Sequence, residues 1–199
     1  MSKVVIAGDA SGTGTFTISA PNGNTDRTLV LPDEAGTIIT TAGVPASAMP
    51  SGSVLQVLYK KFSSATTLTT PNTFLPVSDG TLSIQSTVPN SKFLVRISVQ
   101  GYQSSGNGFN MGLQRITGGT FTRLLGVDGS SGNAWMGGGN GLTNVSYTVA
   151  REYLDSPNLP SNTYIAYGVM AALWTSGTLH VNYSGYSGES LITIEEIAP

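Results

Sequence analysis

Between Phe93 and Gln100 the chain alternates without a break, placing Phe93, Val95, Ile97 and Val99 on one face. Successive side chains of a strand point to opposite faces, whereas a helix returns to the same face every 3.6 residues. This spacing therefore dictates a half-buried strand. Thr81-Leu82-Ser83-Ile84-Gln85 repeats the pattern, and further strands are expected at Val54–Tyr59, Phe109–Ile116, Phe121–Leu125, Asn144–Ala150, Thr163–Trp174, Thr178–Tyr183 and Leu191–Ile197. About nine strands, divided by turn residues and free of a sustained helical period, predict an all-β, antiparallel sandwich. At most one helical turn fits, around Pro45–Ala48.

Composition agrees with that architecture and narrows the function. Ser, Thr, Asn, Gln and Gly supply 90 of the 199 residues, and charged residues only 10%, against about a quarter in an ordinary soluble domain. Thr suits a pleated surface, and Gly and Asn suit turns. With 9 Lys and Arg against 11 Asp and Glu and no basic cluster, nucleic acid is not an expected partner. Zero cysteines exclude a disulfide framework and a thiol nucleophile. The longest apolar run, Ile165–Trp174, falls far short of the ~20 residues that a membrane helix needs, so membrane insertion is not expected. The apolar stretch in Met1–Asp9 is too short for a signal peptide.

The chain reads as three parts. Residues 1–42 carry short strands at Thr15–Ser19, Thr28–Leu31 and Thr37–Thr40, too small to bury a core alone. Residues 43–53 hold two prolines among small residues and read as a linker. Residues 54–199 form the sandwich. One of its strands, Thr163–Trp174, is apolar on both faces. Ile165, Tyr167, Val169, Ala171 and Leu173 oppose Tyr164, Ala166, Met170, Ala172 and Trp174. A strand apolar on both faces is covered on both. Either a homo-oligomer axis or the loop 126–142 is expected to supply the second cover. Ile165, Tyr167, Val169, Met170, Leu173 and Trp174 are the candidate interface or core residues.

Little in the chain points to chemistry. The single histidine, His180, faces away from Leu179 and Val181 among polar neighbours, with no GxSxG nucleophile to serve. Asp33-Glu34 sits in a turn. Glu195 and Glu196 are adjacent on a strand, so they point to opposite faces and cannot share a substrate. The glycine-rich tract Gly126–Gly141 lacks the Lys-Ser/Thr ending of a phosphate loop. Within it Asp128 and Asn133 offer oxygen ligands too few for a calcium site. Trp135 and Met136 are large apolar groups among glycines, which makes the tract a long loop and a candidate recognition loop. No cofactor is expected.

Several segments carry a resemblance. Gly12–Pro21 (with Thr15-Phe16-Thr17-Ile18-Ser19) and Arg27–Ile38 (with Thr28-Leu29-Val30-Leu31-Pro32 and Gly36-Thr37-Ile38) resemble the short β-module, of the form "TITLxAP…TLTLPxxxGTLxT", near the N-terminus of many tailed-phage fibre and virion structural proteins. Pro50–Val57, Val88–Val95, Leu154–Pro157, Thr163-Tyr164, Thr178–Asn182 and Leu191–Ile197 resemble the β-domain often found downstream of it. The resemblance implies a homotrimeric, non-enzymatic virion protein whose sandwich is a jelly-roll-like knob. Phe16, Ile18, Leu29, Leu31 and Ile38 would anchor it to other virion proteins, and a distal knob would meet a host-surface glycan or protein. A capsid decoration or head-fibre protein is the alternative arrangement. An enzyme acting on envelope polysaccharide is disfavoured by the sparse carboxylates and the single histidine.

Overall fold

The alternating segments form strands whose apolar sides face one another. The computed structural model describes residues 43–199 apart from 107, 127–134, 138–143, 175, 184 and 186–188, together with 11–15, 17, 22–26 and 28. The chain divides into two units, Met1–Ile38 and Ile39–Pro199. In the first, every described residue is exposed, and the anchor candidates Phe16, Ile18, Leu29, Leu31 and Ile38 lie outside the described residues. The second is an antiparallel β-sandwich with no α-helix among its described residues.

Its strands are β1 (Val54–Phe62), β2 (Thr66–Leu68), β3 (Leu75–Gln85), β4 (Lys92–Gly106), β5 (Phe109–Thr117) and β6 (Thr120–Leu125). Then follow β7 (Trp135–Gly137), β8 (Val145–Asp155), β9 (Tyr164–Leu173), β10 (Gly177–Val181) and β11 (Ser190–Ile197). Sheet A runs β1-β11-β4-β10-β2, with β8 on the other edge of β4, and sheet B runs β3-β9-β5-β6, with β7 also on β5. The segment expected as a linker holds a 3-10 turn at Ala46–Ala48. Its last residues are tied to the final strand, Gly52 N–H donating to Ala198 O (3.1 Å) and Ala198 N–H to Ser53 O (2.8 Å).

Residues opposite each other in an antiparallel pair share a face. Val95 lies across from Ile194 and Ile97 from Ile192 in sheet A; Met111 lies across from Ala171 and Leu113 from Val169 in sheet B. All eight are buried, and together with Phe93, Val99, Phe109, Leu179 and Val181 they form the core between the sheets.

Three sequence expectations are corrected. The third strand starts at Leu75, not Thr81, and contains Pro76. It is an edge strand, so the missing proline N–H removes no ladder bond. Asp79, at φ 58°, lies in the irregularity between Pro76 and Thr81 that breaks the alternation. The glycine-rich tract is not one continuous loop, because Trp135–Gly137 form β7. Its partners are Met111, Asn110 and Phe109, the stretch of the β5 edge left open where β6 stops at Leu113.

The third correction concerns the doubly apolar strand, now β9. Its odd residues Ile165, Tyr167, Val169, Ala171 and Leu173 enter the main core, as alternation requires. The other face needs no subunit around Met170, because Met170 and Ala172 are already buried against Phe74. Phe74 is held over that face by several contacts. Asn72 N–H donates to Leu173 O at 2.9 Å. Arg123 donates to Phe74 O at 3.2 Å, and its guanidinium stands 5.6 Å from the ring centroid. Gly126, at φ +86°, lets the chain pass so close that a Cβ there would lie 2.6 Å from the ring. Trp174 falls just beyond the strand, its N–H donating to Gly108 O at 3.1 Å.

Candidate functional site

The structure describes only two of the four candidate recognition residues. Asp128 and Asn133 lie outside the described residues, while Trp135 and Met136 have their backbones in β7 of sheet B. The residues proposed from β9 are interior: Ile165, Tyr167, Val169, Met170 and Leu173 are all at most 3% exposed within one chain.

Among the described residues two carboxylates are buried, and each is fully engaged. Asp155 on β8 takes two bonds from the Arg115 guanidinium, at 2.9 and 3.0 Å, and one from the Tyr167 hydroxyl at 2.7 Å. Burial, reinforced by the neighbouring Asp155 charge, raises the Tyr167 phenol far above its ordinary value, so this hydroxyl stays protonated and bridges the sheets. Glu196 on β11 faces inward with no exposed surface. It accepts from Ser91 Oγ (2.6 Å), Thr87 N–H (2.7 Å), Thr87 Oγ1 (3.0 Å) and Gln56 Nε2 (2.6 Å). Burial pushes its carboxyl up, but the donors, Ser91 foremost, outweigh that and hold it below the ordinary carboxylate value. Neither carboxylate is placed to give or take a proton from a substrate. Both fasten strands. Their adjacency to Glu195 or to alternating residues in the sequence gives no sign of these distant partners.

The outer face of sheet A is where side chains of chemical interest reach solvent. At its β1 end a shallow groove of about 540 Å³ is lined by Arg96, Ser98, Ala150, Glu152, Leu191 and Thr193, among others. The charge of Arg96 is already shared between Glu152, at 3.4 Å, and Glu195. At the opposite end lies a group of rings. Tyr102 on β4 is across from His180 on β10, which is across from Thr67 on β2. Tyr102 stacks on Tyr183, with centroids 4.9 Å apart and planes 15° apart; His180 lies 4.9 Å from Tyr183 and 5.9 Å from Tyr102. Thr67 Oγ1 is 2.9 Å from His180 Nδ1, and the Tyr102 hydroxyl donates to Asn144 Oδ1 at 2.9 Å.

The local sequence explains the cluster. Alternation sends Leu179 and Val181 into the core and His180 outward. Asn182 then adopts φ 55°, ending the strand. It is held there by its N–H to Gln100 O (3.0 Å) and by a 2.5 Å bond from the Ser190 hydroxyl to its Oδ1. That left-handed turn, which Asn tolerates better than most residues, brings Tyr183 back over Tyr102. Sequence reasoning found His180 alone. The only available signal for the rest was an asparagine closing a strand directly before a tyrosine.

No family model and no curated protein matches the chain. Among solved structures it is similar to the VP2 subviral particle of infectious bursal disease virus, with a TM-score of 0.38 and 10% identity over 74% of this chain and 39% of that one. It is also similar to the Eiger TNF of S. frugiperda (TM-score 0.33, 12% identity, 67% and 92% coverage). A third likeness is to the enzymatically active domain of tailspike protein 4 from bacteriophage CBA120 (TM-score 0.29, 11% identity, 73% and 20% coverage). The chain thus spans about two-fifths of the VP2 chain it matches. At these TM-scores the likenesses carry no argument about function.

Proposed function

We propose that this chain is a non-enzymatic structural protein of a bacteriophage virion, a trimeric short fibre attached through residues 1–42, with the sandwich as a knob that contacts the host surface. The observation that carries the reading is the ordered set of segments resembling phage virion proteins. Most of those in the sandwich fall in sheet A: Val54–Val57 lie on β1, Phe93–Val95 on β4, Leu154-Asp155 on β8, Thr178–Val181 on β10 and Leu191–Ile197 on β11, while Tyr164 of the pair Thr163-Tyr164 opens β9 of sheet B.

A structural rather than enzymatic role is supported by the carboxylates. Each one described in the sandwich is engaged: Asp79 with Lys60, Glu152 and Glu195 with Arg96, Glu189 with Lys61, Asp155 with Arg115, and Glu196 with its four donors. The trimer reading is supported by the exposed Val57, Tyr59 and Leu154 of sheet A, which offer apolar surface to a subunit. The face of β9 at Met170 no longer supports it.

Labelled antibody against residues 54–199, viewed on intact particles by electron microscopy, tests the assignment. Label at the tail supports the fibre, label over the shell assigns capsid decoration instead, and unlabelled particles overturn the virion reading. Sedimentation of the purified chain as a monomer would overturn the trimer.

A further inference from the structure

We propose that the outer face of sheet A around Tyr102, His180 and Tyr183 is a binding site for an uncharged carbohydrate. The inference rests on the host-contact reading for its place in the particle, and the residues below carry the chemistry.

The rings are positioned by bonds that do not depend on a ligand. His180 is fixed through Nδ1 by Thr67, Tyr102 through its hydroxyl by Asn144, and Tyr183 by the left-handed Asn182 turn. Asn144 is itself at φ 58°, a conformation that costs free energy and is retained where surrounding structure demands it. Gly185 lies against one side of the Tyr183 ring, where a Cβ would come within 2.9 Å of Cε1. Even so, Tyr183 keeps 38% of its surface exposed. A preformed apolar surface binds without having to order its side chains first.

The surroundings select the ligand class. Around the rings the same face presents Ser146 opposite Tyr102 and Thr148 opposite Gln100, with the Thr148 hydroxyl donating to Gln100 Oε1 at 3.0 Å. The rim is therefore hydroxyls and amides. The sequence holds no Asp, Glu, Lys or Arg between 129 and 150 or between 156 and 188. On this face the nearest charges along β4 and β8, Arg96 and Glu152, are six residues from Tyr102 and Ser146, about 20 Å at strand rise. Lys61 and Glu189, beside the start of β11, close on each other at 2.8 Å. A phosphorylated, sulfated or sialylated ligand would find no counter-charge here. A sugar ring offers a C–H face to stack on aromatic carbon and hydroxyls to bond amides and hydroxyls, which is what this rim and these rings provide.

The full chain applied to an array of glucose-, galactose- and N-acetylglucosamine-terminated neutral oligosaccharides, beside sialylated, sulfated and phosphorylated ones, tests the proposal. Binding is expected among the neutral members. Tyr183→Ala should weaken it by about tenfold or more, Tyr183→Phe should restore it, and His180→Ala should weaken it independently; unfolding in urea shows that each variant remains folded. No binding, binding confined to charged members, or binding unchanged in both alanine variants overturns the site. Competition with intact particles for host cells separates this from the host-contact reading. Chain that blocks adsorption equally well with and without Tyr183→Ala leaves that reading standing and removes this one. Neutral-glycan binding that needs Tyr183 but leaves adsorption untouched does the reverse.

Discussion

Two patches, one on the outer face of each sheet, treat apolar side chains in opposite ways. On sheet B the exposed-side residues Met170 and Ala172 are buried by Phe74 from the same chain. On sheet A, Tyr102, His180 and Tyr183 lie in a mutual stack that still reaches solvent. The first arrangement removes apolar area from water and so contributes to stability. The second leaves ring surface wet, and three rings gathered that way stabilise the fold little. The difference separates a patch that Phe74 covers, beyond which Tyr164 on the same face of β9 is 70% exposed, from a patch of rings that stays in contact with solvent. From sequence either a homo-oligomer axis or the loop 126–142 was expected to cover that face of β9, and at Met170 the cover is Phe74 instead.

Phe74→Ala is the most direct way to break this contrast. A lost aromatic in a buried cluster costs about 3–4 kcal/mol, read as a lower urea midpoint, and the loss should be the same at every protein concentration. A small or concentration-dependent loss would mean that another subunit, not Phe74, covers Met170. Next is Gly112→Ala, whose Cβ would lie 2.7 Å from Leu125 O and 3.0 Å from Phe74. Overpacking there should cost about 2–3 kcal/mol, and a neutral substitution would show the cover to be loose.

Glu196→Gln tests the inner side of sheet A and should cost about 1–2 kcal/mol at neutral pH by weakening its charge-assisted bonds. The sign with pH follows from the direction of its shift. The carboxyl lies below 4.5 in the fold and returns to the ordinary value on unfolding. Its contribution is therefore complete above that value and is lost as pH falls through the folded one. Denaturation across acid pH should show the gap between wild type and Glu196→Gln closing as pH drops. A gap that widens in acid would contradict the donors assigned to Glu196. The smallest effect is expected from Tyr102→Phe, which removes the bond to Asn144 on the open face and should cost less than about 1 kcal/mol. A larger loss would make the ring cluster structural.

Much of the sandwich was legible because its central strands obey strict alternation. Phe93, Val95, Ile97 and Val99 read as one buried face and are one, and Leu179, His180 and Val181 sort in, out and in. What escaped is aperiodic. The cover on β9 comes from Pro71–Leu75, a segment tied to Leu173 by an isolated bridge with the Asn72 N–H bond but with no repeat to announce it. β7 is three residues inside a glycine tract, and it pairs because an edge of β5 is available, a condition set by tertiary structure. The ring cluster joins residues 102, 180 and 183, and the step from 180 to 183 crosses a left-handed turn that cancels the two-residue period. Alternation shows which way a side chain points. It does not show which chain segment comes to lie on top of it.

The place of β11 in sheet A has a consequence for synthesis. β1 and β4 are both ladder partners of β11 on its two edges, so β1 joins the rest of its sheet only through a strand made after β4, β8 and β10. At a ribosomal pace of about 5–20 residues per second, β1 waits roughly 7–27 seconds with its hydrogen-bonding edge unmatched. During that interval the free edge, bearing Val57 and Tyr59, is a template for the same strand of a neighbouring nascent chain.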